Sequence, residues 1–296
     1  MRRIVFIFKL LLCFSIAHSQ HCPDSLYFTS QAQIDSFQIL YPNCYEIDGS
    51  VYILGNDITN LNGLNNLISI GGMLSISNTS LSDLIGLEGI TSIGGLLFVG
   101  SNSLMTSLTG LEGLTSVGWY LKIFSNENLS CLSGLQGLTA IGGSLVIDGQ
   151  YGGNSSLTDL TGLEGLLSIG DKIFILRNDG LTSLSGIDNI DASSILGIYI
   201  HHNSSLSNCA VLSVCNYLEN PNGVHVISSN YSGCNTPEEV QDSCQSNAVS
   251  IDEQNLNNNI FLYPNPTCDN ISLFGTEIIS FEIIDIKGRI LKRQKV

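Results

Sequence analysis

The chain has 296 residues, a hydrophobic fraction of 43% and a formal net charge of −15 at pH 7. This hydrophobic content is sufficient for a core and excludes wholesale disorder. The excess of acidic residues argues against nucleic acid and anionic membrane as partners.

Residues 1–19 have the features of a secretory signal peptide. A positive end with Arg2 and Arg3 precedes an apolar run at 4–16, and Ala-His-Ser at 17–19 is a small-x-small cleavage site. The apolar run is too short to span a bilayer, and later apolar runs are broken by Gly, Asn and Ser. We therefore expect an exported protein without a transmembrane segment in the mature chain.

Cysteines cluster on both sides of the central region, in the predicted N-terminal cap (20–50) and C-terminal cap (208–244). They are Cys22 and Cys44 in the first cap, and Cys209, Cys215, Cys234 and Cys244 in the second. In an exported chain such clusters indicate disulfides. A Cys22–Cys44 bridge would contribute on the order of 3 kcal/mol. The second cluster allows three pairings, and the sequence does not choose among them.

Each cap also contains the start of a helix. Ser-Gln-Ala-Gln at 30–33 is a capping box that leads into a short helix with Ile34 and Phe37 on one side. Thr-Pro-Glu-Glu at 236–239 combines an N-cap residue, a first-turn proline and two early acids.

The central region, residues 51–207, repeats a short strand-like x-Leu-x-Ile stretch at intervals of 23 to 28 residues, and one further copy follows it. The first apolar positions of these stretches are Val51, Leu74, Leu97, Leu121, Leu145, Ile173, Ile198 and Val224. Alternation indicates half-buried strands, and the Gly-rich pieces between them suit further short strands. We predict an all-β fold, a right-handed β-helix solenoid of about eight coils with disulfide-stapled caps.

Asparagine ends most of these strands, at Asn56, Asn78, Asn102, Asn126, Asn178, Asn203 and Asn230. If the coils stack, the amides come to lie above one another at one turn. We expect them to form hydrogen bonds with the backbone of adjacent coils, as a structural ladder.

Two sequence features resemble a known family. The stretch NCYEIDGSVYI and the repeat Leu-x-x-Leu-x-x-Leu-x-x-Ile-Gly-Gly-x-Leu-x-Ile resemble the receptor L domain of the insulin and epidermal growth factor receptors. Bacterial surface proteins carry longer arrays of this repeat, and the chain is similar to them from about Cys22 to Cys244. The resemblance implies a β-helix with ligand-binding potential, and no kinase or receptor signalling. Leucine-rich repeats are the structural alternative, since the period and the asparagines are compatible with them.

After a polar linker, residues 245–259, the chain resembles the C-terminal sorting domain of type IX secretion substrates over 260–296. The motif residues are Tyr263, Pro264, Asn265, Pro266 and Gly288. The resemblance implies a small β-sandwich that engages the secretion machinery of a Gram-negative bacterium, with release or attachment at the outer-membrane surface. Such domains continue for further strands, so we expect a truncated one, and periplasmic protein if it is inactive. An ordinary small β domain is the alternative.

The outward side of the predicted sheet is the candidate binding surface. Aromatic residues recur immediately after the inward positions, or two residues further on, at Tyr52, Phe98, Phe124, Phe174 and Tyr199. So many rings on a flat sheet suggest recognition of a protein or a glycan. Stacking that merely stiffens the sheet, or cover by another domain, would also place rings there.

Two other groups of residues are weaker candidates. One is a column of polar residues at the Gly-Leu-Glu-Gly turns, namely Asn65, Glu88, Glu112, Gln136, Glu164 and Asp188. The other is a group of three histidines, His201, His202 and His225. The column is interrupted by amides and lacks a calcium loop, so we interpret it as a solvent-facing turn. Adjacent strand residues face opposite sides, so the histidines predict no metal site.

Catalysis would need carboxylates that converge in a groove. Asp148 and Asp159 flank the longest insertion, residues 149–156, and each has a plain turn interpretation. The sequence contains no Gly-x-Ser-x-Gly elbow, phosphate loop or zinc signature. We predict a non-enzymatic surface binding or adhesion protein without a cofactor. A surface-layer spacer and a polysaccharide-active enzyme are the alternatives.

Overall fold

A computed structural model describes residues 22–150 and 153–248, together with four short strands beyond them. The predicted signal peptide and most of the predicted linker lie outside these residues. So do the sorting-motif residues Tyr263, Pro264, Asn265, Pro266 and Gly288. In the part of the chain that is described, no helix has the length and apolar character needed to cross a membrane.

Two sheets of parallel strands form the central region. The nine-stranded sheet consists of β1 (Leu26–Phe28), β3 (Val51–Leu54), β5 (Leu74–Ser77), β7 (Leu97–Gly100), β9 (Leu121–Phe124), β11 (Leu145–Asp148), β13 (Lys172–Leu176), β14 (Gly197–His201) and β15 (Val224–Ser228). The six-stranded sheet consists of β2 (Glu46–Ile47), β4 (Ser69–Ile70), β6 (Ser92–Ile93), β8 (Ser116–Val117), β10 (Ala140–Ile141) and β12 (Ser168–Ile169). From β2 to β13 the strands of the two sheets alternate along the chain, so each repeat in this range is one coil that adds a strand to both sheets. This arrangement is consistent with a β-helix-like solenoid.

Each coil contributes a set of fully buried leucine and isoleucine side chains to one continuous core. In β9, for example, Leu121 and Ile123 are buried, while Lys122 and Phe124 between and after them face outward and are half-buried. The parallel register places like residues side by side, so that Leu121 pairs with Leu97 on one side and Leu145 on the other. The predicted inward positions from Val51 to Ile198 are confirmed, because all are fully buried.

The prediction for Val224 is wrong. Its side chain is 58% exposed and it pairs with Gly197, so that His225 aligns with Ile198 and Ile227 is the buried residue of β15. The repeat changes just before this strand, where a helix replaces the Gly-rich segment of the earlier coils. Val224 therefore lies beside the residue that precedes Ile198, one position earlier along β14 than the period predicts.

Three α-helices occur among the described residues, α1 (Gln31–Leu40), α2 (Leu212–Glu219) and α3 (Pro237–Ala248). An all-β description is therefore too narrow for the ends of the array. Helix α1 buries Ile34 and Phe37, as predicted, but Ser30 forms no side-chain cap. At the start of α3, the Thr236 hydroxyl does accept a hydrogen bond from the Glu239 amide at 3.3 Å.

Helix α2 has no counterpart in the sequence-based prediction. It buries Val214, Tyr217 and Leu218 and packs against α3. Its side chains therefore cover the end of the core where the last regular coil would otherwise expose it.

Disulfides hold both caps. Cys22 is bonded to Cys44, Cys209 to Cys234, and Cys215 to Cys244. The last bond joins α2 to α3, and Cys209–Cys234 joins the last regular coil to the turn that precedes α3. The pairing of the four C-terminal cysteines, which the sequence left open, follows from this packing.

Beyond α3, four strands form two separate antiparallel pairs. They are β16 (Phe261–Leu262) with β17 (Leu273–Phe274), and β18 (Ser280–Ile284) with β19 (Ile290–Lys295).

A buried asparagine ladder follows the nine-stranded sheet. The amide oxygen of Asn126 accepts from the backbone N–H of Asn102 at 3.0 Å, and its amide nitrogen donates to the Val99 carbonyl at 3.0 Å. The same pattern repeats in later coils at Asn203 and Asn230. Asn178 also donates to a strand carbonyl, that of Ile147, but its amide oxygen accepts from the Asn154 side chain. Each amide thus satisfies backbone groups of the preceding coil that would otherwise be buried without partners.

The ladder's membership differs from the predicted set. Asn56 is exposed, and Asn78 occupies the preceding position, which has a positive φ of 52°. Thr79 takes the ladder position of that coil, and its hydroxyl donates to Asn102 at 2.8 Å. Asn154, within the insertion, is fully buried and supplies the member missing between Asn126 and Asn178.

The Gly-Leu-Glu-Gly turns close on themselves. Gly110 has a φ of 111°, and its N–H donates to the Glu112 carboxylate at 2.9 Å. Equivalent bonds join Gly86 to Glu88, Gly134 to Gln136, Gly162 to Glu164 and Gly186 to Asp188. Because Gln136 performs the same task as the carboxylates, the column needs an acceptor at this position rather than a charge. This supports the turn interpretation over a cation site.

We predict that Asn126→Ala destabilises the protein strongly, whereas Asn128→Ala does not. The first change leaves the Asn102 N–H and the Val99 carbonyl without the amide, at a cost on the order of 1 to 3 kcal/mol for each buried group. Asn128 is exposed and donates to the Ser103 carbonyl at 2.6 Å, so its loss should cost about 0.5 kcal/mol. Urea unfolding of the two variants checks this, and equal midpoints would contradict the ladder's importance.

A second pair of variants tests the turn glycines. In Gly110→Ala, the new Cβ would overlap the carbonyl group of Leu84, and φ would stay in a region that alanine rarely adopts. We expect a loss of at least about 1 to 3 kcal/mol. In Gly100→Ala, the atoms nearest the new Cβ all belong to the Phe98 ring, and backbone φ is not in the left-handed region. Thermal unfolding should therefore separate Gly110→Ala from a nearly native Gly100→Ala.

Candidate binding surface

The predicted aromatic residues lie on the outward side of the nine-stranded sheet. Tyr52, Phe98, Phe174 and Tyr199 belong to one column, because register pairs Tyr52 with Ser75, Phe98 with Lys122, and Phe174 with Tyr199. Phe124 stands one column further along the strands, beside Gly100 and Asp148. We call this side of the sheet the outer face. All five rings are half-buried, so each retains exposed surface.

Several rings contact one another across coils. Phe174 and Tyr199 stack with centroids 4.9 Å apart and planes 14° apart. Phe98 and Phe124 are tilted at 33° with centroids 6.3 Å apart. Such pairs contribute about 0.5–1.5 kcal/mol beyond their burial. The rings therefore stiffen the sheet, whatever else they do.

Sequence reasoning missed three rings. Tyr27 in β1 is 65% exposed and stacks on Tyr52 with centroids 4.6 Å apart. Trp119 and Tyr120 stack at 4.9 Å, and Trp119 is 58% exposed. The signal for Trp119 was available, because it stands where neighbouring coils have the second glycine of a Gly-Gly pair. A large ring in place of glycine at a copied corner is a local departure from the repeat.

Lys122 lies in the middle of the most aromatic part of the outer face. Its ammonium nitrogen is 4.9 Å from the centroid of the Phe124 ring, within range of a cation–π interaction. The described residues form two ion pairs, Lys172 with Asp171 and Arg177 with Asp148, and Lys122 belongs to neither. The outer face thus carries a cation that is held by a ring.

The two carboxylates considered for catalysis are both engaged in local structure. Asp148 accepts two hydrogen bonds from the Arg177 guanidinium, at 3.1 and 2.8 Å, and one from the Gln150 N–H at 3.1 Å. Asp159 accepts from the Thr161 N–H at 2.9 Å. Asp148 thus belongs to a partly buried ion pair, and Asp159 closes an Asx turn. Both carboxylates therefore have structural roles.

The expected separation of His201 from His202 is wrong, because His202 lies in the left-handed turn after β14 and its ring meets that of His201. His201 extends from β14, whereas His202 follows it with a φ of 59°, and their Nδ1 atoms are 2.8 Å apart. His225 lies on the next strand, level with Ile198. Among the described residues, no three histidine, cysteine or acidic side chains come together in a way that could hold a metal ion.

His201 is the histidine whose environment changes its titration. Partial burial lowers the pKa of His201 below its ordinary value of 6.5, and the neighbouring His202 and Arg177 lower it further by charge repulsion. Asp148 acts in the opposite direction.

Comparisons with protein-family models, curated proteins and solved structures gave no match to this chain. The properties of the outer face therefore have to be argued from its own residues.

The lowered pKa of His201 predicts that the unfolding free energy of the protein depends on pH. Because the folded pKa of His201 is below the unfolded value, the unfolded chain binds more protons at mildly acidic pH. The stability attached to the neutral imidazole is complete above about pH 6.5, and it declines as pH falls through the folded pKa. His201→Gln should therefore reduce the loss of unfolding free energy between pH 7.5 and the mildly acidic range. An NMR titration that places the His201 pKa at or above that of a model peptide would contradict the prediction.

Proposed function

We propose that this protein is an exported, non-enzymatic binding or adhesion protein that uses its outer face to hold a protein or glycan ligand. The supporting observation is the concentration of half-exposed rings on one regular surface: Tyr52, Phe98, Phe124, Phe174 and Tyr199. Aromatic side chains combine large contact area with low conformational entropy, and binding surfaces are enriched in them.

The fold and location belong to the same proposal. The two parallel sheets support a right-handed β-helix, and the resemblance to receptor L-domain arrays is compatible with it. The resemblance to a type IX sorting domain favours secretion or display at the outer-membrane surface, through the corresponding secretion machinery. The engagement of Asp148 by Arg177, and of Asp159 by Thr161, supports a non-enzymatic role.

A structural spacer is the second candidate, and a specific observation favours it. The Phe174–Tyr199 and Tyr27–Tyr52 pairs stack with their planes within 14° of each other, as expected of rings that stiffen a sheet. A spacer in a surface layer would use the same face for contacts between copies.

Beads coated with the full chain test the proposal, with immobilised glycans and extracellular proteins as targets. A variant with the five outer-face rings replaced by serine should lose at least nine-tenths of the bound beads, because its contact surface is removed. The control variant replaces exposed apolar side chains elsewhere, Leu104, Leu167 and Tyr231. It should bind like the parent chain, and circular dichroism should show both variants folded.

Two outcomes would count against the proposal. Equal binding by the five-ring variant would remove the outer face from ligand recognition. Sedimentation that shows reversible self-association, abolished in the same variant, together with no bead binding, would favour the spacer.

A further inference from the structure

We infer that the ligand is a neutral polysaccharide and that it docks on one part of the outer face, the β9 patch, defined as Phe98, Trp119, Tyr120, Lys122 and Phe124. This inference rests on the proposed function and narrows it to a ligand class and a location. The patch is centred on one coil and extends to the preceding one.

Two rings of the β9 patch lean over glycine. The tip of the Phe98 ring lies above Gly100 on the same strand, where a Cβ would come within 3.1 Å of three ring atoms. One edge of the Tyr120 ring lies over Gly143 of the next coil in the same way. A ring lowered over a glycine covers backbone with one surface and presents the other to solvent. Such rings form platforms for a ligand with a planar apolar surface.

The rest of the patch adds area and a hydrogen-bond donor. Lys122 and Phe124 alternate along β9 and therefore point to the same side of the sheet, and Tyr120 directly precedes this strand. Trp119 extends the stack beyond Tyr120 at the corner. Lys122, held over the Phe124 ring, adds an ammonium group to the patch. Apolar platforms around a few placed polar groups are the usual composition of a small-molecule binding site.

The charge of residues 22–248 favours some ligands over others among those that stack on aromatic rings. Nucleobases and sugar rings both stack on exposed aromatic side chains. Between residues 22 and 248 the sequence has three basic residues, Lys122, Lys172 and Arg177, against many acidic ones. Two of the three are paired with aspartates. A surface of this kind repels polyanions, which disfavours nucleic acids and acidic polysaccharides and leaves neutral sugars.

Affinity electrophoresis of the full chain through gels with dextran, mannan, β-glucan or polygalacturonate tests the inference. We expect retardation by at least one neutral polymer, none by polygalacturonate, and no change in affinity between low and high salt. Phe98→Ala and Tyr120→Ala should each weaken retardation at least tenfold. Gly100→Ala should weaken it severalfold while the fold is kept, because its Cβ displaces the Phe98 ring. Tyr231→Ala, which removes an exposed ring elsewhere, is the control.

The inference is overturned if no neutral polymer retards the chain, if polygalacturonate binds in a salt-sensitive manner, or if Gly100→Ala and Tyr120→Ala bind like the parent. Bead binding to proteins that is lost in the five-ring variant, without retardation by any polymer, would overturn the sugar assignment while the proposed binding function stands. Loss of both signals would reject both.

Discussion

A buried asparagine amide that follows the nine-stranded sheet in most coils is the interaction on which the array depends. The chain turns sharply there, through a residue of positive φ such as Ser125, at 49°. A turn between stacked parallel strands leaves backbone groups facing the interior, where water cannot reach them. The Asn126 side chain takes the place of water. Its amide oxygen accepts a hydrogen bond from the Asn102 N–H and its amide nitrogen donates one to the Val99 carbonyl, both in the preceding coil. The amide therefore connects neighbouring coils in addition to the sheets.

Once coils stack in this register, the two sides of the nine-stranded sheet are determined. A slip of one residue would turn every inward leucine outward, so the apolar core and the asparagine ladder maintain the same alignment. The outer face is then free to vary, because its side chains have no packing partners within the core. Its columns hold serine in one coil, phenylalanine in the next and lysine in the one after. Variation on a rigid, repeated frame is the physical basis for placing recognition on this face.

Because the coils repeat, a coil that departs from the repeat changes the local shape of the outer face. Where Gly-Gly is copied at a corner, the backbones of adjacent coils approach closely. Trp119 departs from this pattern, and its ring lies against Tyr120 instead of entering the core. The Tyr120 ring lies directly above Gly143, in space that a side chain at position 143 would otherwise occupy. Glycine in one coil thus shapes the surface that the neighbouring coil presents.

The sequence by itself determined the period, the inward positions from Val51 to Ile198, the buried side of α1 and the start of α3, because these follow from local periodicity and, at α3, from capping chemistry. Tertiary structure alone decided the exposure of Val224, the ladder role of Asn154 and the pairing of the four C-terminal cysteines. Each depends on which residues meet after α2 or an insertion has changed the length of a coil. The outer-face column could likewise be predicted by counting, whereas the contact of Trp119 with Tyr120 could not. Ring stacking depends on side-chain direction, and a linear period contains no information about that.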